Sequence, residues 1–227
     1  MKFKQWFENT IDKALFLVHP DFALDNWSHQ QYLPDLKKYY QDVINYVDNF
    51  DGYVLIHSFV PRRSRDTDDQ YGTSPENIKE YKKFHNWMIS SKAKIVYEKQ
   101  NLCEKPDDLF NLIDNLGKDS VVYWGGGYLG DCLSRTLRFV QDFEHDIKNK
   151  NVRFVPVKNL IFVPGATPTT YDQIPNEPMA RQIAGSLGTL PDMFQQSVRD
   201  AGIHPEIENK LVRRRSAFDG FIDPFTK

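Results

Sequence analysis

The chain has 227 residues, long enough to bury a sizeable core, and its length fits one domain or one domain with an extension. Apolar residues make up 40% and charged residues 26%, a globular composition, and a net charge of −2 gives no electrostatic case for nucleic acid or an anionic membrane. The cysteines, Cys103 and Cys132, are too few for a disulfide framework and suit a reducing compartment.

The N-terminal segment lacks a signal-peptide layout, because Glu8 and Asp12 interrupt it and no small-residue cleavage site follows. No apolar run approaches the ~18 residues that a membrane span needs. The expectation is a cytoplasmic protein.

In chain order, Ala14–Val18 (ALFLV) is a short, uniformly apolar run that suits a buried parallel strand. Leu36, Tyr39, Tyr40, Val43, Ile44 and Val47 then fall at helical spacing, with Pro34 suited to a first turn. An Asp-Gly turn at Asp51–Gly52 precedes a second strand through Val60. A polar loop follows, and Ser74-Pro75 opens a helix as cap and first residue. Ala93–Lys99 is a third strand, and Pro106–Gly117 reads as a helix opened by Pro-Asp-Asp and closed by glycine. Ser120–Trp124 is a fourth strand, followed by glycines and a helical pattern from Asp131 to Lys148. VRFVPV and NLIFV are two further strands or one bent strand.

The alternation implies an α/β protein with three α/β/α layers around a mostly parallel, doubly wound sheet of about five to six strands. Residues 1–163 form its core. Residues 164–227 are a C-terminal extension expected to pack on the core or on a neighbouring subunit. Such sheets bind ligands beyond the carboxyl ends of their strands. Those ends carry His19–Asp21, Ser58–Arg63, Glu98–Asn101 and Gly125–Cys132.

Cys132 is the foremost candidate nucleophile. It opens a helix behind a run of glycines, where backbone N–H groups can stabilise a thiolate and an oxyanion. Lys99, at a neighbouring strand end, could lower the thiol pKa or handle a proton, and a carboxylate ending the first strand could serve as base. The alternative is a small buried cysteine at the foot of a helix.

Gly126-x5-Cys132-Leu133-x2-Thr136, after a strand and before a helix, resembles the nucleophile segment of the isochorismatase-like cysteine hydrolases, which include nicotinamidases and isochorismatases. The resemblance covers roughly residues 14–163. It implies a hydrolase of a small amide or related bond, with Cys132 as nucleophile and Lys99 in support. It also implies an oxyanion hole at the Gly127-Tyr128 peptide. The family's first strand ends in an aspartate, where this sequence has His19, with Asp21 two residues on. Either Asp21 takes the base role, or His19 substitutes, or the triad is broken and the protein is a catalytically inactive binding or assembly protein.

His57 matches a strand-end position where some nicotinamidases begin a metal site. The segment Tyr53–Pro61 offers one histidine and no aspartate, so no metal is expected, and no cofactor. Gly125-x-Gly127-x-x-Gly130 has the bare spacing of a dinucleotide loop, a further alternative, but it follows the fourth strand and not the first. Arg62 or Arg63 could hold a substrate carboxylate or phosphate. Trp124 and Tyr128, with Phe22 and Trp27, suggest a flat ligand. The expected partners are a small-molecule substrate and further copies of the chain in a homo-oligomer, without nucleic acid or membrane.

Overall fold

The structure, a computed structural model, describes residues 10–21, 36–59, 75–98, 107–127, 129, 132–162 and 190–201. Its strands are β1 (Ile11–Val18), β2 (Tyr53–Phe59), β3 (Lys94–Glu98), β4 (Leu116–Gly127) and β5 (Arg153–Phe162). The helices are α1 (Leu36–Asn49), α2 (Pro75–Ser90), α3 (Asp107–Asp114), α4 (Cys132–Arg138), α5 (Glu144–Asn149) and α6 (Asp192–Asp200), with a 3-10 segment at Phe139–Phe143.

The five strands form one sheet in the order β3-β2-β1-β4-β5, every pair parallel. The fold is α/β, with helices on both faces. Alternation along β1 divides the core in two. Ala14, Phe16 and Val18 pack with α3, α4 and α6 through Leu109, Leu112, Ile113, Leu133, Leu137, Phe194 and Val198. Leu15 and Leu17 pack on the other face with α1 and α2 through Tyr39, Tyr40, Val43, Val47, Phe84 and Met88. The uniformly apolar ALFLV run is the consequence: a strand covered on both faces has no polar side to show.

The chain winds outward from β1 to β3 on one face, returns to β4 beside β1, and continues to β5. The direction of winding therefore reverses between β1 and β4. In open parallel sheets the connections that leave the two strands at such a reversal run to opposite faces, and a crevice lies beyond their carboxyl ends.

Three segments differ from the sequence expectations. The helix expected over 106–117 stops at Asp114, and Leu116 and Gly117 already belong to β4, because buried Leu116 pairs with Ile11. Gly117 is thus a strand residue and not a helix terminator. β4 then bulges: Ile11 faces Leu116 but Lys13 faces Val121, with Asp119 at φ 62 in between. The Ser120 hydroxyl lies 2.8 and 2.6 Å from the Ile11 and Gly117 carbonyls, and its single hydrogen is shared between these acceptors at the bulge. The long helix expected after the glycines is broken by the 3-10 segment into α4 and α5. VRFVPV and NLIFV are one bent strand: Trp124 faces Pro156 and Gly126 faces Ile161, so Val157–Leu160 lie opposite Gly125 alone.

α6 is short, and it packs on the core. Phe194 is fully buried, its ring 4.8 Å from Phe154 and edge-on to Trp124 at 5.8 Å. Among the described residues no helix is long and apolar enough to cross a membrane.

Candidate active site

The site begins with the pairing of Val18 and Gly126, the last register position between β1 and β4. The two strands approach so closely there that only glycine fits. A Cβ at Gly126 would lie 1.9 Å from the Val18 carbonyl oxygen, and the residue sits at φ +110. Across from it, His19 also takes a left-handed backbone, at φ 44. A histidine tolerates that region better than a β-branched residue would, but the conformation is uncommon and clusters at functional sites. Its N–H donates to the His57 carbonyl at 2.7 Å, extending the β1–β2 ladder by one residue before the chain turns at Pro20 and Asp21.

His19, Pro20 and Asp21 are all buried. The Asp21 carboxylate accepts a hydrogen bond from Ser58 Oγ at 2.8 Å, and its backbone carbonyl lies 3.5 Å from the Tyr40 hydroxyl. Ser58 follows Val54 and Ile56 in alternation along β2, so it belongs to the α1/α2 face. Asp21 is therefore drawn toward that face. Its charge is felt there: burial, and then the Asp21 carboxylate, push the phenols of Tyr39 and Tyr97 upward. Tyr39 also donates to the Leu160 carbonyl at 3.3 Å, tying α1 to the bulge of β5.

Cys132 is the first residue of α4, its side chain buried and 7% exposed. It belongs to the opposite cluster, with Leu129, Leu133 and Leu137. Asp21 is thus turned to the α1/α2 side of the sheet and Cys132 to the α4 side. His57 of β2 is buried, with its ring edge-on to Phe16 at 5.2 Å. Among the described residues no group of three His, Cys, Asp or Glu side chains could hold a metal ion.

Of the remaining residues singled out from the sequence, Gly127 ends β4 and is buried, and Trp124 lies inside the core against Phe194. Lys99, Tyr128 and Arg63 lie outside the described residues, as do Cys103, Phe22, Trp27 and most of the Gly125–Gly130 loop beyond Gly127. Ser58, Tyr39 and Tyr40 were not singled out as partners of Asp21. The signal for Ser58 was a hydroxyl at an inward position of an otherwise apolar strand end. For the tyrosines it was their place near the N-terminus of α1, the end of that helix nearest the carboxyl ends of the strands.

No family model matches this sequence, and no curated protein matches it. Among solved structures, the chain is similar to MAR1 ribonuclease from Caenorhabditis elegans, at 13% identity over 78% of this chain and 75% of that one, with a TM-score of 0.40. It is also similar to an isochorismatase-like hydrolase from Alkaliphilus metalliredigens, at 12% identity over 66% of this chain and 81% of that one, with a TM-score of 0.30. The fold assignment rests on the strand order and the two helical layers, which stand without these likenesses.

Proposed function

We propose that this chain is a cysteine-dependent hydrolase of the isochorismatase-like type, acting on a small amide or related bond at the crevice between β1 and β4. The observation that carries the reading is the Val18–Gly126 pairing. It supports the reading by setting the strand end that leads into His19-Pro20-Asp21 beside Gly126, at the switch point of the sheet. In this reading Asp21, or His19, accepts the Cys132 proton. The thiolate attacks the substrate carbonyl carbon, and backbone N–H groups around Gly127 and Tyr128 hold the resulting oxyanion. The C–N bond then breaks, the amine leaves with the proton, and water hydrolyses the thioester to release the acid and restore the thiol. Lys99 supports the charged pair.

A second reading is a catalytically silent member of the same fold that binds or assembles. Two observations favour it. Cys132 packs among leucines, and Asp21 is held by Ser58 toward the other face. The readings separate on turnover. Ammonia release from a panel of small carboxamides, abolished in Cys132→Ala with the fold intact by circular dichroism, supports the hydrolase. Equal release by wild type and Cys132→Ala sinks the cysteine mechanism, and no release from either leaves the silent reading standing.

A further inference from the structure

We infer that the groove between α1 and the bulge of β5 is a second binding site, built for a flat aromatic ring carrying one negative charge. The groove encloses about 510 Å³, within the range of small-molecule sites. It lies on the α1 face of the sheet, over β4, and is independent of the hydrolase reading. Its lining includes Lys13 of β1, Tyr123 of β4, Tyr46 and Phe50 at the end of α1, and Asn159 and Leu160 of β5.

The aromatic lining is ordered by its own contacts. The Tyr46 and Phe50 rings stack with centroids 5.9 Å apart and planes at 24°, and Phe50 meets Tyr123 edge-on at 5.6 Å. Lys13 Nζ sits 4.8 Å from the Phe50 centroid and 5.8 Å from that of Tyr123. These two ring faces position the ammonium without neutralising it. Among the described residues Lys13 has no carboxylate partner. The one acid in the lining, Asp42, is already engaged by Lys38 at 2.6 Å. The uncompensated charge of the groove is therefore positive.

The Asn159 amide makes no hydrogen bond among the described residues and offers both a donor and an acceptor at the mouth. Burial, and then the neighbouring Tyr123, raise the Tyr46 phenol, whose hydroxyl is a further polar group of the lining. Stacking surface, one unpaired cation and neutral polar groups at the edge are the chemistry that receives an aromatic acid. The register shift of β5 leaves Val157–Leu160 opposite Gly125 alone, and the Tyr39 hydroxyl of α1 donates to the Leu160 carbonyl beside the groove.

The test is isothermal titration of the full chain with 1-naphthoate and with its neutral isostere 1-naphthamide. We expect saturable binding of the naphthoate, at least about tenfold tighter than the amide, as a charge-assisted contact supplies. Lys13→Met, at an exposed position, should erase the preference between the two. Asn159→Trp, which fills the groove from its exposed rim, should block both. Equal affinity of wild type for the two compounds would overturn the inference. So would the absence of saturable binding up to about 1 mM, an affinity near the weak end of specific recognition. Binding that survives Asn159→Trp unchanged would place the ligand elsewhere and overturn it equally. Because neither variant touches the crevice between β1 and β4, these outcomes are separate from the turnover of Cys132→Ala.

Discussion

Replacing Gly126 by alanine tests the close approach on which the crevice depends. The cost has two parts. A non-glycine residue at φ +110 is strained by about 1–3 kcal/mol. The added Cβ would also lie 1.9, 2.6 and 2.7 Å from the oxygen, nitrogen and carbonyl carbon of Val18. All three are backbone atoms of a strand buried on both faces, so no side chain can swing aside. Relief requires β1 and β4 to separate at their carboxyl ends, with loss of ladder hydrogen bonds worth about 0.5–1.5 kcal/mol each. The total expected is about 3–5 kcal/mol, a large share of the 5–15 kcal/mol typical of a domain. Urea unfolding followed by tryptophan fluorescence and far-ultraviolet circular dichroism measures it. With a slope of about 3 kcal/mol/M, the midpoint should fall by roughly 1–1.7 M at unchanged slope. Gly117→Ala is the control. The nearest atom to its Cβ is Asp12 Oδ1 at 2.9 Å, a side chain that can move. Its loss should stay near 1 kcal/mol or below, as for strand substitutions without backbone conflict. A Gly126→Ala protein within about 1 kcal/mol of wild type, the ordinary effect of a point substitution, would refute the reasoning.

Ser58→Ala should cost about 1–3 kcal/mol, because it leaves the buried Asp21 carboxylate without its hydroxyl donor. An unchanged urea midpoint would show that the bond carries nothing. Phe194→Ala should cost about 3–5 kcal/mol, as for other buried aromatics. A loss below 1 kcal/mol would show that α6 is not part of the core. Alkaline titration gives a third check. Burial, and then the Asp108 carboxylate, push the Tyr53 phenol up to about 12, and Tyr39 is raised as well. Folded-state values above the ordinary phenol value mean that stability is fully present below about pH 10 and is lost as pH rises through about 12. Native absorbance at 295 nm should show phenols that ionise only with unfolding, and complete titration near pH 10 in the folded protein would contradict this.

The layers of this fold were legible because both halves of the pattern are unambiguous. ALFLV and VLI are too short and too uniformly apolar for surface helices, and Tyr39, Tyr40, Val43 and Val47 recur at helical spacing. The parallel arrangement followed from alternation. The bulges were not legible. A shift of register in β4 or β5 depends on which residues lie opposite, and nothing local in Gly117–Ser120 or Val157–Leu160 states that. For the same reason Gly117 read as a helix end: a glycine after LIDNL suits a cap, until Leu116 is required as a partner for Ile11. At the site, the strand-end positions of His19, Asp21 and Cys132 were legible, since carboxyl ends follow from strand order. What the sequence could not carry was the side each group comes from. That Asp21 leans to Ser58 while Cys132 packs with α4 is a property of strand parity and of the turn at Pro20, visible only once β1 and β2 are paired.

The most direct test of the proposed chemistry is the alkylation rate of Cys132, resolved by peptide mass spectrometry so that Cys103 serves as an internal reference. The hydrolase account predicts that iodoacetamide modifies Cys132 in the native protein near pH 7 faster than a free thiol of ordinary pKa. It also predicts that Asp21→Asn slows that modification about tenfold or more, within the range attributed to a positioned base. A Cys132 that reacts only when the protein unfolds, at a rate indifferent to Asp21→Asn, would contradict it.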